Sequence, residues 1–137
     1  MGVIDYYAAT FRLAIVSTEG GTPRSITDSF DESVTSVEWK PDGIYFSALQ
    51  KTASHLFRVN PFTSSIVRIS APDNLIARSF SFTRNGKQMA FAASSPVSLS
   101  EVFVSDVGSF SPHLLTNMTA QPDSLILGTR EVISWKS

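Results

Sequence analysis

The side chains able to do chemistry in this 137-residue chain are few and scattered. His55 and His113 are its two histidines, and neither has an Asp, a Glu or the other His at a spacing that would share a metal ion. They read as surface or strand-edge histidines. Cysteine is absent, which removes disulfides, thiol catalysis and thiolate metal sites. Serines are common, but a serine without a neighbouring base and an oxyanion hole is only a polar residue suited to turns and edges. No Gly-x-Ser-x-Gly nucleophile elbow occurs. The acidic pair Asp31-Glu32 sits in a turn-like stretch and reads as solvated, leaving the Asp28 to Glu32 loop as a candidate surface. Asn117-Met118-Thr119 has the pattern of a glycosylation acceptor, which matters only in a secretory pathway. The expectation is no catalytic, cofactor-binding or metal site, and a chain that is not itself an enzyme.

Charge narrows the partners. Eleven basic and 12 acidic side chains leave a net charge of −1, so there is no electrostatic case for nucleic acid or an anionic membrane. No stretch approaches the roughly 20 apolar residues of a membrane span. Asp5 interrupts the apolar run after Val3-Ile4 and no basic region precedes it, unlike a signal peptide, so the expected location is cytoplasmic.

A repeat defines the elements that must position these residues. Ser36-Val37-Glu38-Trp39-Lys40-Pro41-Asp42-Gly43 leads into Ile44-Tyr45-Phe46, and Ser79-Phe80-Ser81-Phe82-Thr83-Arg84-Asn85-Gly86 leads into Lys87-Gln88-Met89-Ala90-Phe91. Trp39 and Phe82 stand 43 residues apart, and a period of roughly 40 to 45 suits a four-stranded propeller blade. The match continues past the turn: Leu56 to Asn60 aligns with Val102 to Asp106, and Val67 to Ser70 with His113 to Thr116, both at an offset of 46. Running backwards at 43, Leu13 to Ser17 falls on Leu56 to Asn60, and Pro23 to Thr27 on Ile66 to Ser70. The growing offset places the insertions in loops.

Short strand signals with turn chemistry between them, and no apolar helical stripe, give an all-β chain. It divides into a partial blade (1–32), two complete four-stranded antiparallel blades (33–75 and 76–120) and an exit segment (121–137). The partial blade uses Val3 to Tyr7, Arg12 to Ser17 and Pro23 to Thr27, with a hairpin turn at Glu19-Gly20-Gly21-Thr22. The second uses Val34 to Trp39, Ile44 to Leu49, His55 to Asn60 and Ile66 to Ser70. The third uses Ile76 to Phe82, Gln88 to Ala93, Glu101 to Asp106 and Pro112 to Thr116. The Ser94 to Ser100 stretch, with Pro96, is a longer loop that could line a rim. In Lys40-Pro41-Asp42-Gly43, proline presets the first corner of a type I turn and glycine accepts the positive φ that closes the hairpin. The strands after these turns are apolar on both faces, as when blades stack, and Trp39 and Phe82 should point into those contacts.

The strings Ser17 to Thr27, Trp39 to Gly43 and Phe82 to Phe91 resemble blades of propellers in the TolB-like and prolyl oligopeptidase groups. The C-terminal run narrows this: Leu115-Thr116-Asn117, a polar spacer, then Arg130-Glu131-Val132-Ile133-Ser134-Trp135-Lys136-Ser137 resembles the crossing from the last blade into the α/β-hydrolase domain of dipeptidyl aminopeptidases and acylaminoacyl peptidases. The resemblance covers nearly the whole chain and only the later part of that family's propeller. It implies a noncatalytic role, capping an active site, restricting entry to small peptides and helping to hold the substrate's N-terminal end. The family often uses acidic residues for that last task, and no match to them stands out here.

A propeller closes with about 4 to 8 blades, whereas two and part of a third are legible here. Open faces and strand edges invite pairing, so a homo-oligomer is expected. The alternative to a peptidase's gating domain is a stand-alone module that binds protein or ligand and closes by self-association.

Overall fold

The computed structural model describes residues 10–70, 75–120 and 128–136. These form three antiparallel sheets and no helix. The first pairs β1 (Ala14–Ile15) with β2 (Arg24–Ser25). The second runs in chain order through β3 (Thr35–Lys40), β4 (Gly43–Gln50), β5 (Ala53–Val59) and β6 (Ile66–Arg68). The third does the same through β7 (Ile76–Phe82), β8 (Gln88–Ser94), β9 (Glu101–Asp106) and β10 (His113–Leu114). Each is a meander of neighbours in sequence, as expected of blades. The strand expected over Val3 to Tyr7 lies outside the described residues.

The apolar faces explain the stacking. In β4, Ile44, Phe46 and Ala48 join Ile26, Phe30 and Val34 in one core, while Tyr45 turns to the other side and joins Leu56, Phe80, Met89 and Phe91 in a second. One sheet therefore feeds two cores, the first shared with the preceding sheet and the second with the next one. The aromatic pairs repeat with the sequence. Phe46 stacks on its cross-strand partner Phe57 at 5.4 Å, and Phe91 on Phe103 at 5.6 Å. The buried rings of Phe46, Phe57 and Phe91 each contribute about 1.5–3 kcal/mol.

Phe82 sits in the contact between the second and third sheets, its ring 4.8 Å from that of Tyr45, as expected. Trp39 follows its expectation in direction but not in burial. It borders the groove beside Gly20, Gly21 and Arg24 but is 63% exposed. The repeat puts the residues that would cover it, the counterparts of Ile44 to Phe46, in the stretch before residue 10, outside the described residues. At Gly43, φ is +150°, and a Cβ there would meet Arg58 Cγ at 2.9 Å and Val59 O at 3.0 Å, so the Pro41-Asp42 turn needs glycine for room as well as for conformation.

A hydroxyl latch recurs in all three sheets. Thr27 Oγ1 accepts the Leu13 N–H at 2.9 Å, Ser70 Oγ the Leu56 N–H at 2.9 Å and Thr116 Oγ1 the Val102 N–H at 2.9 Å, each across 14 residues. In each, the aliphatic residue before the hydroxyl donates its own N–H back to the same strand residue's carbonyl, at 2.8–2.9 Å. A side chain thus replaces the next rung of the backbone ladder. This is why the last strand of each sheet ends early: β2 stops at Ser25, β6 at Arg68 and β10 at Leu114, short of the expected Thr27, Ser70 and Thr116.

The residue ahead of each latched N–H differs. It is Arg12 in the first sheet, His55 in the second and Glu101 in the third. His55 is no surface or strand-start residue: it is the third residue of β5 and buried, with Nδ1 3.4 Å from Ser70 Oγ. His113 is exposed, as expected. Glu101 is buried and accepts four bonds: from Thr116 Oγ1 at 2.5 Å, Met118 N at 2.9 Å, Thr119 N at 2.7 Å and Thr119 Oγ1 at 2.7 Å. The bond from Thr116, then that from the Met118 amide, hold its pKa down to about 2.

Two outcomes are expected. Ser70→Ala strands the buried Leu56 N–H and should cost about 1–3 kcal/mol in urea unfolding; a neutral change would show that another acceptor replaces the hydroxyl. The Glu101 contribution is complete above its ordinary value of 4.5 and fades as pH falls toward about 2, because protonation removes the acceptor. Glu101→Gln should flatten stability against pH in that window, and an unchanged slope would refute the assignment.

Candidate functional site

Antiparallel alternation sorts the connections onto two rims. The hairpins β1–β2, β3–β4, β5–β6, β7–β8 and β9–β10 lie on one. The β4–β5 and β8–β9 loops, the links between sheets and the chain leaving β10 lie on the other, the crossing rim.

The hairpin rim has most of its charge satisfied. Asp42 accepts hydrogen bonds from Tyr45 Oη at 2.7 Å and Arg58 Nη1 at 2.8 Å. Desolvation alone would raise the Asp42 carboxyl, but those two bonds outweigh it and its pKa falls below the ordinary value. Tyr45 is pushed up, first by burial and then by its bond to Asp42, and Arg58 is raised by the same carboxylate. Lys40 is held by Glu38 at 2.8 Å and lies 5.6 Å over the Phe82 ring, linking second and third sheets. A groove of about 480 Å³ there runs between Asp42 and Arg58 on one side and Lys87 and Asp106 on the other.

The crossing rim is built differently. Its β8–β9 loop is pinned by Ser98, whose Oγ takes the Ser95 N–H at 2.9 Å and lies 2.9 Å from Ser95 Oγ. The expected longer loop at Ser94 to Ser100 is therefore a fixed platform. Across it lies the segment 128–136, tied by the Arg130 N–H to Pro96 O at 3.0 Å and by the Arg130 guanidinium to Ser95 O. The segment borders a half-open hollow of about 550 Å³, lined by Thr52, Ile76 and Pro96 and by Glu131, Val132 and Ile133. A second hollow of about 310 Å³ adjoins it, sharing Pro96 and Arg130 and adding Arg78, Ser98 and Ser100. The Glu101 latch anchors the chain where it leaves β10, on this same rim.

The other residues singled out in the sequence do not meet here. The Asp28 to Glu32 loop folds back on the first sheet, where Asp28 takes bonds from Arg12 at 3.2 Å and Ser25 at 2.7 Å. The Thr119 hydroxyl is committed to Glu101 and to the Leu99 N–H at 3.2 Å. Ser70 and His55 do form a serine–histidine contact, but the space beside them, between Leu75, Ala77 and Phe110, has no room for a water molecule. Chemistry on a substrate is therefore closed to that pair. Among the described residues no group of three or more His, Asp or Glu is placed to hold a metal. Sequence reading missed Arg78 as a rim residue; its signal was a lone cation two residues after Ile76 on a strand otherwise Ser- and Phe-rich.

The arrangement can bind rather than transform: an apolar hollow, an adjoining cationic one and a fixed serine platform. No protein-family model matches the chain, and no curated protein matches it in sequence. Among solved structures it is similar to TolB from Acinetobacter baumannii, with a TM-score of 0.61 and 23% identity over 79% of this chain. The chain spans 27% of the length of that protein. With two four-stranded meanders stacked beside a third sheet, the likeness shows the fold: an all-β, open section of a TolB-like β-propeller.

Proposed function

We propose that this chain is a noncatalytic propeller section whose crossing rim recognises short peptides, as the gating domain of a prolyl oligopeptidase family serine peptidase does. The observation that carries the reading is the half-open hollow of about 550 Å³ bordered by the strapped 128–136 segment, whose residues Arg130 to Lys136 resemble that family's passage into its hydrolase domain. A cavity of this size holds one or two side chains and has an apolar wall with a few polar groups, the usual make-up of a ligand site. The division into a partial blade (1–32), blades (33–75 and 76–120) and an exit segment (121–137) belongs to this proposal. Peptides of four to six residues should slow hydrogen exchange in the 95–100 loop and in 128–136, leaving the hairpin rim unchanged. Protection absent from both segments would refute rim recognition. A reading frame that continues past Ser137 without a Gly-x-Ser-x-Gly elbow would refute the peptidase part alone.

A second reading, a module that closes by self-association, is favoured by one comparison between equivalent faces. Leu56, on the face that the third sheet covers, is 1% exposed, whereas its counterpart Val102 is 39% exposed. Ile69 is half-buried, and its counterpart Leu115 is 61% exposed. The third sheet thus offers an apolar face of the kind that the second buries under β7, and a second copy carries blades of the matching type. Light scattering at micromolar concentration should give a dimer or larger species that Val102→Lys shifts toward monomer. A monomeric mass for the unaltered chain would overturn this reading.

A further inference from the structure

We propose that the paired hollows on the crossing rim recognise the C-terminal carboxylate of a peptide whose last residue is apolar. This rests on rim recognition as proposed above and specifies the ligand's chemistry. Ile76 and Arg78 are two apart on β7, hence on the same face of the strand and about 6–7 Å apart along it. Ile76 lines the apolar hollow and Arg78 the cationic one. That separation suits a carboxylate and the side chain of the residue that carries it.

Three further features set the polarity of the site. The cationic hollow is lined by Arg78 from the sheet and Arg130 from the strap, together with Ser98 and Ser100. Among the described residues, no hydrogen bond or ion pair engages Arg78, whereas Arg58 and Arg12 are already matched to Asp42 and Asp28. A planar guanidinium is suited to a carboxylate by its paired donors. Glu131 lines the apolar hollow and not the cationic one, so it repels a carboxylate from the wrong end. The β7 bulge between Arg78 and Ser81, with Ser79 at φ +57°, sets the strand's course immediately after Arg78.

The experiment uses the full chain and a fluorescein-labelled Gly-Ser-Ala-Leu-Leu peptide, as free acid and as C-terminal amide, read by fluorescence anisotropy. The free acid should bind at least about tenfold more tightly than the amide. Arg78→Gln should abolish that preference, acid binding falling to the level of the amide; Arg78 is exposed, so the fold tolerates the change. Ile133→Ser should weaken acid and amide alike. Equal binding of acid and amide, or a preference that survives Arg78→Gln, overturns the carboxylate assignment and leaves rim recognition standing. Binding of neither peptide overturns the assignment, and with no exchange protection by any peptide the rim reading falls with it. Tighter binding of a C-terminally amidated peptide ending in phosphoserine would also overturn it, moving the site to phosphate.

Discussion

Every blade here is a sheet with two greasy sides, and that constraint governs the rest of the molecule. In β4 the alternation Ile44, Tyr45, Phe46 sends consecutive side chains into different cores, and all three are nearly inaccessible to water. A strand built this way gains nothing by lying on a surface. It is stabilised only between two neighbours, because the apolar area on each face contributes about 25 cal/mol per Å² removed from water. The stacking of successive sheets is thus a consequence of strand composition, and loop sequence need only permit it.

Stacking by broad apolar faces leaves the ends of the strands to be organised by polar groups, and the chain uses a local device for it. The latched hydroxyls of Thr27, Ser70 and Thr116 satisfy a strand N–H that would otherwise need another rung of backbone. The strand can then leave the sheet without stranding a donor. Beyond the latch, the chain is free to become rim. In the third sheet Glu101 extends the device, gathering Thr116, Met118 and Thr119 so that the departing chain is held for five residues beyond β10. The direction in which the chain reaches the crossing rim is set by that carboxylate.

Much of this was legible in the sequence, and the misses have physical causes. The bounds of β7 and β9 coincide with those read from pattern, since β-branched or aromatic residues at alternating positions and turn residues at each end leave little freedom. The two-sided apolarity of β4 and β8 was readable for the same reason. The latch was visible only as an aliphatic residue followed by Ser or Thr at each blade's end, Ile26-Thr27, Ile69-Ser70 and Leu115-Thr116, and such pairs are too common to signal hydrogen bonding alone. His55 was misplaced because a lone histidine gives no sign of burial until its partner, Ser70, is known to lie 15 residues away across a hairpin. Trp39 does border the first sheet, yet stays largely exposed, because equivalence within a repeat fixes where a residue points and not how far its neighbour covers it. The rim cavity was beyond reach from sequence, since its lining comes from residues 52–96 and 130–133, distant along the chain and adjacent only once it folds.

The distribution of charge then explains why the two rims differ in what they can do. On the hairpin rim, turn residues such as Asp42 sit next to strand ends, and the strand beside them supplies Arg58 and Tyr45 within bonding reach, so the polar groups spend their capacity on one another. On the crossing rim the hollows are lined by segments far apart in the chain, including the second sheet's Thr52 and the 128–136 segment. Ser95 and Ser98 bond within their own loop and Glu101 bonds within the departing chain, which leaves Arg78 facing a hollow between the third sheet and the 128–136 segment. Local satisfaction stabilises the turns without leaving a surface for a ligand. A cation held at the edge of a sheet, with apolar wall beside it and no anion paired to it among the described residues, keeps its binding capacity for something that arrives from outside.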